Sequence, residues 1–79
     1  MRFGPKGKVF VADFYNDRVQ KFAPDGAFLT SFGETGEGPG QFRHPIALDI
    51  AADGAVFIAD FLNHRIQKWR PREEVHETL

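Results

Sequence analysis

Short apolar runs set between turn residues organise this chain. Residues 9–12 read Val-Phe-Val-Ala and residues 55–59 read Ala-Val-Phe-Ile-Ala. Both are too short for helices, are rich in β-branched and aromatic side chains, and have turn signals on either side, so both predict strands. They do not alternate apolar with polar, which predicts strands covered on both faces. Lys6-Gly7 and Asp53-Gly54 precede them, and an Asp-Gly pair tolerates the positive φ of a tight hairpin. Residues 18–22 and 65–69 predict the next strands, and Pro24-Asp25-Gly26 predicts another tight turn. Residues 27–32 predict a further strand, with residues 74–79 as its more charged counterpart, a composition that an exposed outer strand tolerates. Met1-Arg2-Phe3 and Leu48-Asp49-Ile50 open the two series.

These elements form an internal repeat. Val9-Phe10-Val11-Ala12-Asp13-Phe14 returns 47 positions later as Val56-Phe57-Ile58-Ala59-Asp60-Phe61, and ten of the sixteen positions from Val9 to Pro24 match Val56 to Pro71. A period in the forties indicates a stacked or radial array whose units cannot bury their faces alone. Each unit is then four antiparallel strands, the make-up of one propeller blade. The expected division is a first blade over residues 1–32, a glycine-rich connector and lead-in over 33–47, and a second blade over 48–79. The tract Gly33 to Gly40 is expected to be a flexible connector. It lacks the Lys-Ser/Thr of a phosphate-binding loop, and no helix follows it.

The combination of "GQF", a Pro, an Asp-Gly turn, "VFIAD" and "NHRIQKW" resembles the NHL repeat of six-bladed β-propellers, over nearly the whole chain. Pro45 and Gly54 sit at the family spacing. Ala47 stands where the pattern has Gly, Ala51 where it has Asp, and Gly4 and Lys6 where the first unit would carry Asp. The resemblance implies an all-β propeller. Members of that family include a peptide-amidating lyase, sensor domains of bacterial kinases and RNA-binding domains, and fold alone transfers none of these activities.

Composition narrows the functional classes. With 79 residues the chain is one small domain, marginal without a partner to enlarge its core. It has no cysteine, which excludes disulfides and thiolate metal sites. A net charge of −1 argues against nucleic acid or an anionic membrane as partner. No stretch approaches a membrane span, and Asp13 and Asp17 fall where a signal peptide needs an apolar core, so a cytoplasmic address is the default expectation.

Candidate chemistry is sparse. Asp13, Asn16 and Arg18 recur as Asp60, Asn63 and Arg65 around the turn between the second and third strands. Because the set is present in both units, it is expected to close that turn and tie neighbouring strands or blades together. Phe10, Phe57, Phe22 and Trp69 are expected in an inter-blade core. Phe14, Tyr15, Phe61 and Leu62 lie in the same turns, where they either pack beneath the loop or present a ligand-facing rim. Arg2 and Asp49 occupy equivalent innermost-strand positions and are expected to face each other at a channel wall, where the pair either locks the order of blades or presents a polar patch that binds a small ligand. His44, His64 and His76 have no metal-ligand spacing and are expected at the surface. Ser31 is the lone serine and lies in no nucleophile elbow. No catalytic residue, metal site or cofactor is therefore expected.

The resulting expectation is a non-catalytic scaffold that binds a peptide, protein or small ligand on a loop face or in its channel. The alternatives are a piece of a larger lyase-like propeller or an RNA-binding domain. Two blades cannot close a ring, so the expected partner is the chain itself, as a cyclic homotrimer of six blades. Met1 aligns with Leu48 and Leu79 with Phe32, so the ends of the chain are expected at blade boundaries.

Overall fold

The computed structural model describes residues 1–70 in full, together with the backbone of Val75–Thr78. Strands β1 (Arg2–Phe3), β2 (Val9–Asp13), β3 (Arg18–Phe22) and β4 (Phe28–Phe32) form one antiparallel sheet in chain order. A short parallel pair follows, β5 (Glu34–Thr35) with β6 (Gln41–Phe42). Strands β7 (Pro45–Ile50), β8 (Val56–Asp60), β9 (Arg65–Arg70) and β10 (Val75–Thr78) form the second four-stranded antiparallel sheet. The registers agree across the repeat: Arg2 lies opposite Phe10 and Asp49 opposite Phe57. Of the expected outer strand 74–79, Glu74 and Leu79 lie outside the described residues, as does Pro71. Among the described residues no helix is long and apolar enough to cross a membrane.

Turn chemistry explains why both units fold alike despite their differences. In the second unit, Ala51 N–H donates to Ala55 O, Gly54 N–H donates to Ala51 O, and the Asp53 carboxylate accepts Ala55 N–H at 3.0 Å. The first unit keeps the two backbone bonds, from Gly4 N–H to Lys8 O and from Gly7 N–H to Gly4 O. Lys6 takes the place of Asp53 and adopts a left-handed φ of 62 that Asp53 does not share, so the first turn closes through the same two backbone bonds with a different local backbone and without the side-chain bond.

Two expectations need correction. Strand β7 starts at Pro45 instead of Leu48, because a bulge between Pro45 and Ala47 carries the pairing back to Asp60. The glycine-rich segment is an ordered clasp, not a flexible tether. Gly36 N–H donates to Phe42 O, Gln41 N–H to Gly38 O, and Gly38 N–H to the Gln41 side chain. At Gly36 a Cβ would lie 2.5 Å from Gln41 Cδ, so glycine serves close approach here.

The core lies between the two sheets. Phe10, Val19, Phe42, Leu48, Val56, Ile58 and Trp69 form one buried cluster. Phe42 of the clasp is fully enclosed, and burying a side chain of that size contributes roughly 1.5–3 kcal/mol. Phe32 stacks on Trp69 with centroids 3.9 Å apart, joining the outer strand of the first unit to β9 of the second. Phe22 and Phe57 are only half-buried, in contrast to Phe10 and Trp69. Phe22 meets Phe28 edge-on, and the Lys68 ammonium covers the Phe57 ring at 5.5 Å.

Candidate functional site

The repeated polar residues grip a backbone segment in the second unit. Asp60 is fully buried and accepts Asn63 Nδ2 at 2.8 Å, Arg65 Nε at 3.0 Å and the backbone N–H of Arg43 at 2.7 Å. The rest of the Arg65 fork donates to Glu37 O, Gly38 O and Gln41 O at 2.6–2.8 Å. Asn63 Nδ2 also reaches Gly36 O, while Gln67 donates to Gln41 O and accepts Gly40 N–H. Leu62 N–H closes the contact by donating to Arg43 O. A planar guanidinium with several fixed donors suits a loop that presents several carbonyls at once.

In the first unit the same residues bind one another. Asp13 accepts Asn16 Nδ2 through both oxygens, Arg18 Nε at 3.0 Å and Gln20 Nε2 at 3.0 Å. Burial pushes the Asp13 carboxyl up, but the bonds from Arg18, Asn16 and Gln20 outweigh it and hold the group below the ordinary carboxylate value. The Arg18 side chain is 42% exposed against 15% for Arg65. No connector lies over it among the described residues.

A second link runs from the turn of the first unit to the clasp. Asp17 accepts His44 N–H and the Thr35 hydroxyl, each at 2.7 Å, and these two donors hold its carboxyl below the ordinary value. The His44 ring stacks on Phe14 with centroids 4.4 Å apart, and its Nδ1 lies 3.0 Å from Phe14 O. His44 is thus a packed part of the junction, contrary to its expected surface role. His64 is exposed, and the side chain of His76 lies outside the described residues.

Around these turns the apolar candidates separate. Phe14 packs beneath His44 and edge-on to Tyr15, whereas Tyr15, Phe61 and Leu62 are exposed. Phe61 joins Ile46 and Ile66 in a shallow open groove on the outer face of the second unit. Arg2 and Asp49 meet across β1 and β7, with Nε and Oδ1 3.9 Å apart and both side chains largely exposed. Solvent screening limits such a pair to about 0–1 kcal/mol. Among the described residues no group of three or more His, Cys, Asp or Glu is placed to hold a metal ion.

Sequence reasoning missed Gln20, Gln67, Asp17, Arg43 and His44 as members of these networks. Gln20 and Gln67 carried a usable signal, since they repeat and fall two residues after the paired arginines.

No known family profile matches the chain. Over 49 residues, 56% of this chain, it is 45% identical to peptidyl-glycine alpha-amidating monooxygenase of Mus musculus, and it matches the Rattus norvegicus protein to the same extent. The chain spans 5% of the length of these relatives.

Proposed function

We propose that the chain is a pair of NHL-type propeller blades that acts as a non-catalytic binding scaffold, with three copies joined head to tail into a six-bladed ring. One observation carries the reading. Val19, at the junction between the two units, is fully buried, while its repeat equivalent Ile66 is 47% exposed on the outer face. The same holds on the opposite face, where Val56 and Ile58 are fully buried but Val9 and Val11 only half so. The two open faces are therefore the two halves of the junction already formed inside the chain, which is what a heterologous, ring-closing interface requires. Exposed apolar faces of this kind favour a partner.

Native mass spectrometry tests the reading. The expected mass is three times the 8.9 kDa chain. A folded monomer or dimer at micromolar concentration contradicts the ring, and a tetramer contradicts the blade count.

Loops on a rigid ring suit recognition, and Tyr15, Phe61 and Leu62 supply exposed apolar contacts for a peptide, protein or small ligand. The likeness to a protein whose name records action on peptidylglycine favours a peptide. It also supports a second reading, a segment of a larger peptide-processing enzyme. Metal analysis of the purified protein separates that reading from the scaffold, which is expected to carry no stoichiometric metal. Titration with single-stranded RNA over a salt series is expected to give no binding, and salt-dependent binding would favour an RNA reader instead.

A further inference from the structure

We propose that Asp13, Asn16, Arg18 and Gln20 form a receptor site for an extended, glycine-rich peptide carrying Gln-Phe, supplied from outside the described blade pair. The occupant is defined by the internal repeat. In the second unit the equivalent Asp60, Asn63, Arg65 and Gln67 hold residues 36–43 through four carbonyls and two N–H groups. Strand register and turn geometry are shared: Asp13 lies opposite Arg18 as Asp60 lies opposite Arg65, and Asp17 and His64 both take left-handed φ values, 53 and 52.

The first unit presents the complementary groups in unsatisfied or provisional form. The terminal Arg18 nitrogens and the Tyr15 N–H have no partner among the described residues, whereas Arg65 and the Leu62 N–H have theirs in the clasp. Gln20 donates to Asp13 in place of a peptide carbonyl. An arriving segment would draw Gln20 off Asp13, give the Arg18 fork its carbonyls and pair with the Tyr15 N–H. Its Phe would lie against Val9 and Val11, as Phe42 lies in the cluster with Val56 and Ile58. Glycine is demanded because the clasp folds back against its own Gln, leaving no room for a Cβ at the position of Gly36. Residues 36–43 are committed to the second unit, so the occupant of the first unit must be a different segment of the same chemistry. The site does not depend on ring closure, and a failure of assembly leaves its test intact.

The probe is the synthetic peptide Gly-Glu-Thr-Gly-Glu-Gly-Pro-Gly-Gln-Phe-Arg-His, the sequence of residues 33–44. Titration into the folded chain, followed by amide NMR, is expected to give saturable binding with shifts centred on Tyr15, Arg18 and Gln20. Exchanging the peptide's Gln-Phe for Ala-Ala, or introducing Arg18→Ala in the protein, is expected to weaken binding about tenfold or more. Gln20→Ala is the second variant, chosen because it leaves the Arg18–Asp13 pair in place. Lack of saturable binding overturns the proposal. So do equal affinity for the Ala-Ala peptide, shifts centred on Leu62 and Arg65, or a Tyr15 amide already protected from exchange before peptide is added.

Discussion

The Asp17 carboxylate accepts the backbone N–H of His44 at 2.7 Å, 27 residues further along the chain. With Thr35 on its other oxygen, it fastens the turn of the first unit to the clasp that leads into the second. Asp17 is buried, so removing it strands two donors at the junction. Asp17→Ala is expected to lower stability by about 1–3 kcal/mol, through the loss of two hydrogen bonds to an ionised acceptor, as measured by urea unfolding.

Acid should weaken the same link. The folded Asp17 carboxyl titrates below its ordinary value, so its stabilisation is complete above the unfolded value of about 4 and is lost as pH falls through the lower folded one. Asp13 and Asp53 shift in the same direction and add to this acid limb. Thermal melts from pH 7 to pH 2 are expected to show Asp17→Asn destabilised at neutral pH and converging on the parent at the acid end. Parallel curves across the whole range would mean that the Asp17 charge plays no part.

The paired arginines should differ in energetic weight. Arg65→Ala leaves a fully buried Asp60 charge with one partner fewer and also releases three carbonyls of the clasp, at an expected cost of about 3–5 kcal/mol. Arg18→Ala removes a partly exposed, solvent-screened pair and is expected to cost about 1 kcal/mol or less. Equal losses in matched urea titrations would contradict the difference drawn between the two units.

What the sequence disclosed follows from what it repeats. The eight expected strands fall where the apolar runs and turn residues recur, and the Asp-Asn-Arg set could be read as structural because it occurs twice. The clasp occurs once, so no second copy revealed that Gly36 and Gly38 fold against Gln41 instead of forming a loose tether. Asp17 was obscure for the same reason, since His64 stands at its equivalent position and makes no corresponding side-chain bond among the described residues. The turn keeps its left-handed residue in both units while the side chain there changes task.

Gly33 provides a local test of the clasp. Its φ is +102, and a Cβ there would lie 2.6 Å from two carbons of the buried Phe42 ring. Neither the backbone nor the enclosed ring can give way cheaply. Gly33→Ala is expected to destabilise the chain by about 1–3 kcal/mol, through backbone strain and overpacking together. Gly26 also has positive φ, but a Cβ there would meet nothing within 4 Å, so Gly26→Ala isolates the backbone contribution. If both variants melt at the same temperature, the contact between Gly33 and Phe42 contributes nothing.

The outer face of the second unit gives the clearest separation of folding from assembly. Ile66 projects from β9 with 47% of its surface exposed, beside Ile46 and Phe61, which are also exposed. Its equivalent, Val19, is sealed by the second unit, so in a head-to-tail array Ile66 should be sealed by the next copy. An aspartate there costs little in a free chain, because the carboxylate stays hydrated. In an assembled ring it would bury a charge with no partner, which costs several kcal/mol. Ile66→Asp is therefore expected to keep the β-sheet circular dichroism of the parent while reducing its solution mass to that of a single chain. Val19→Asp, its repeat equivalent, is expected to unfold the chain, because that junction is internal. A folded Ile66→Asp protein that keeps the parent's mass would show that this face takes no part in assembly.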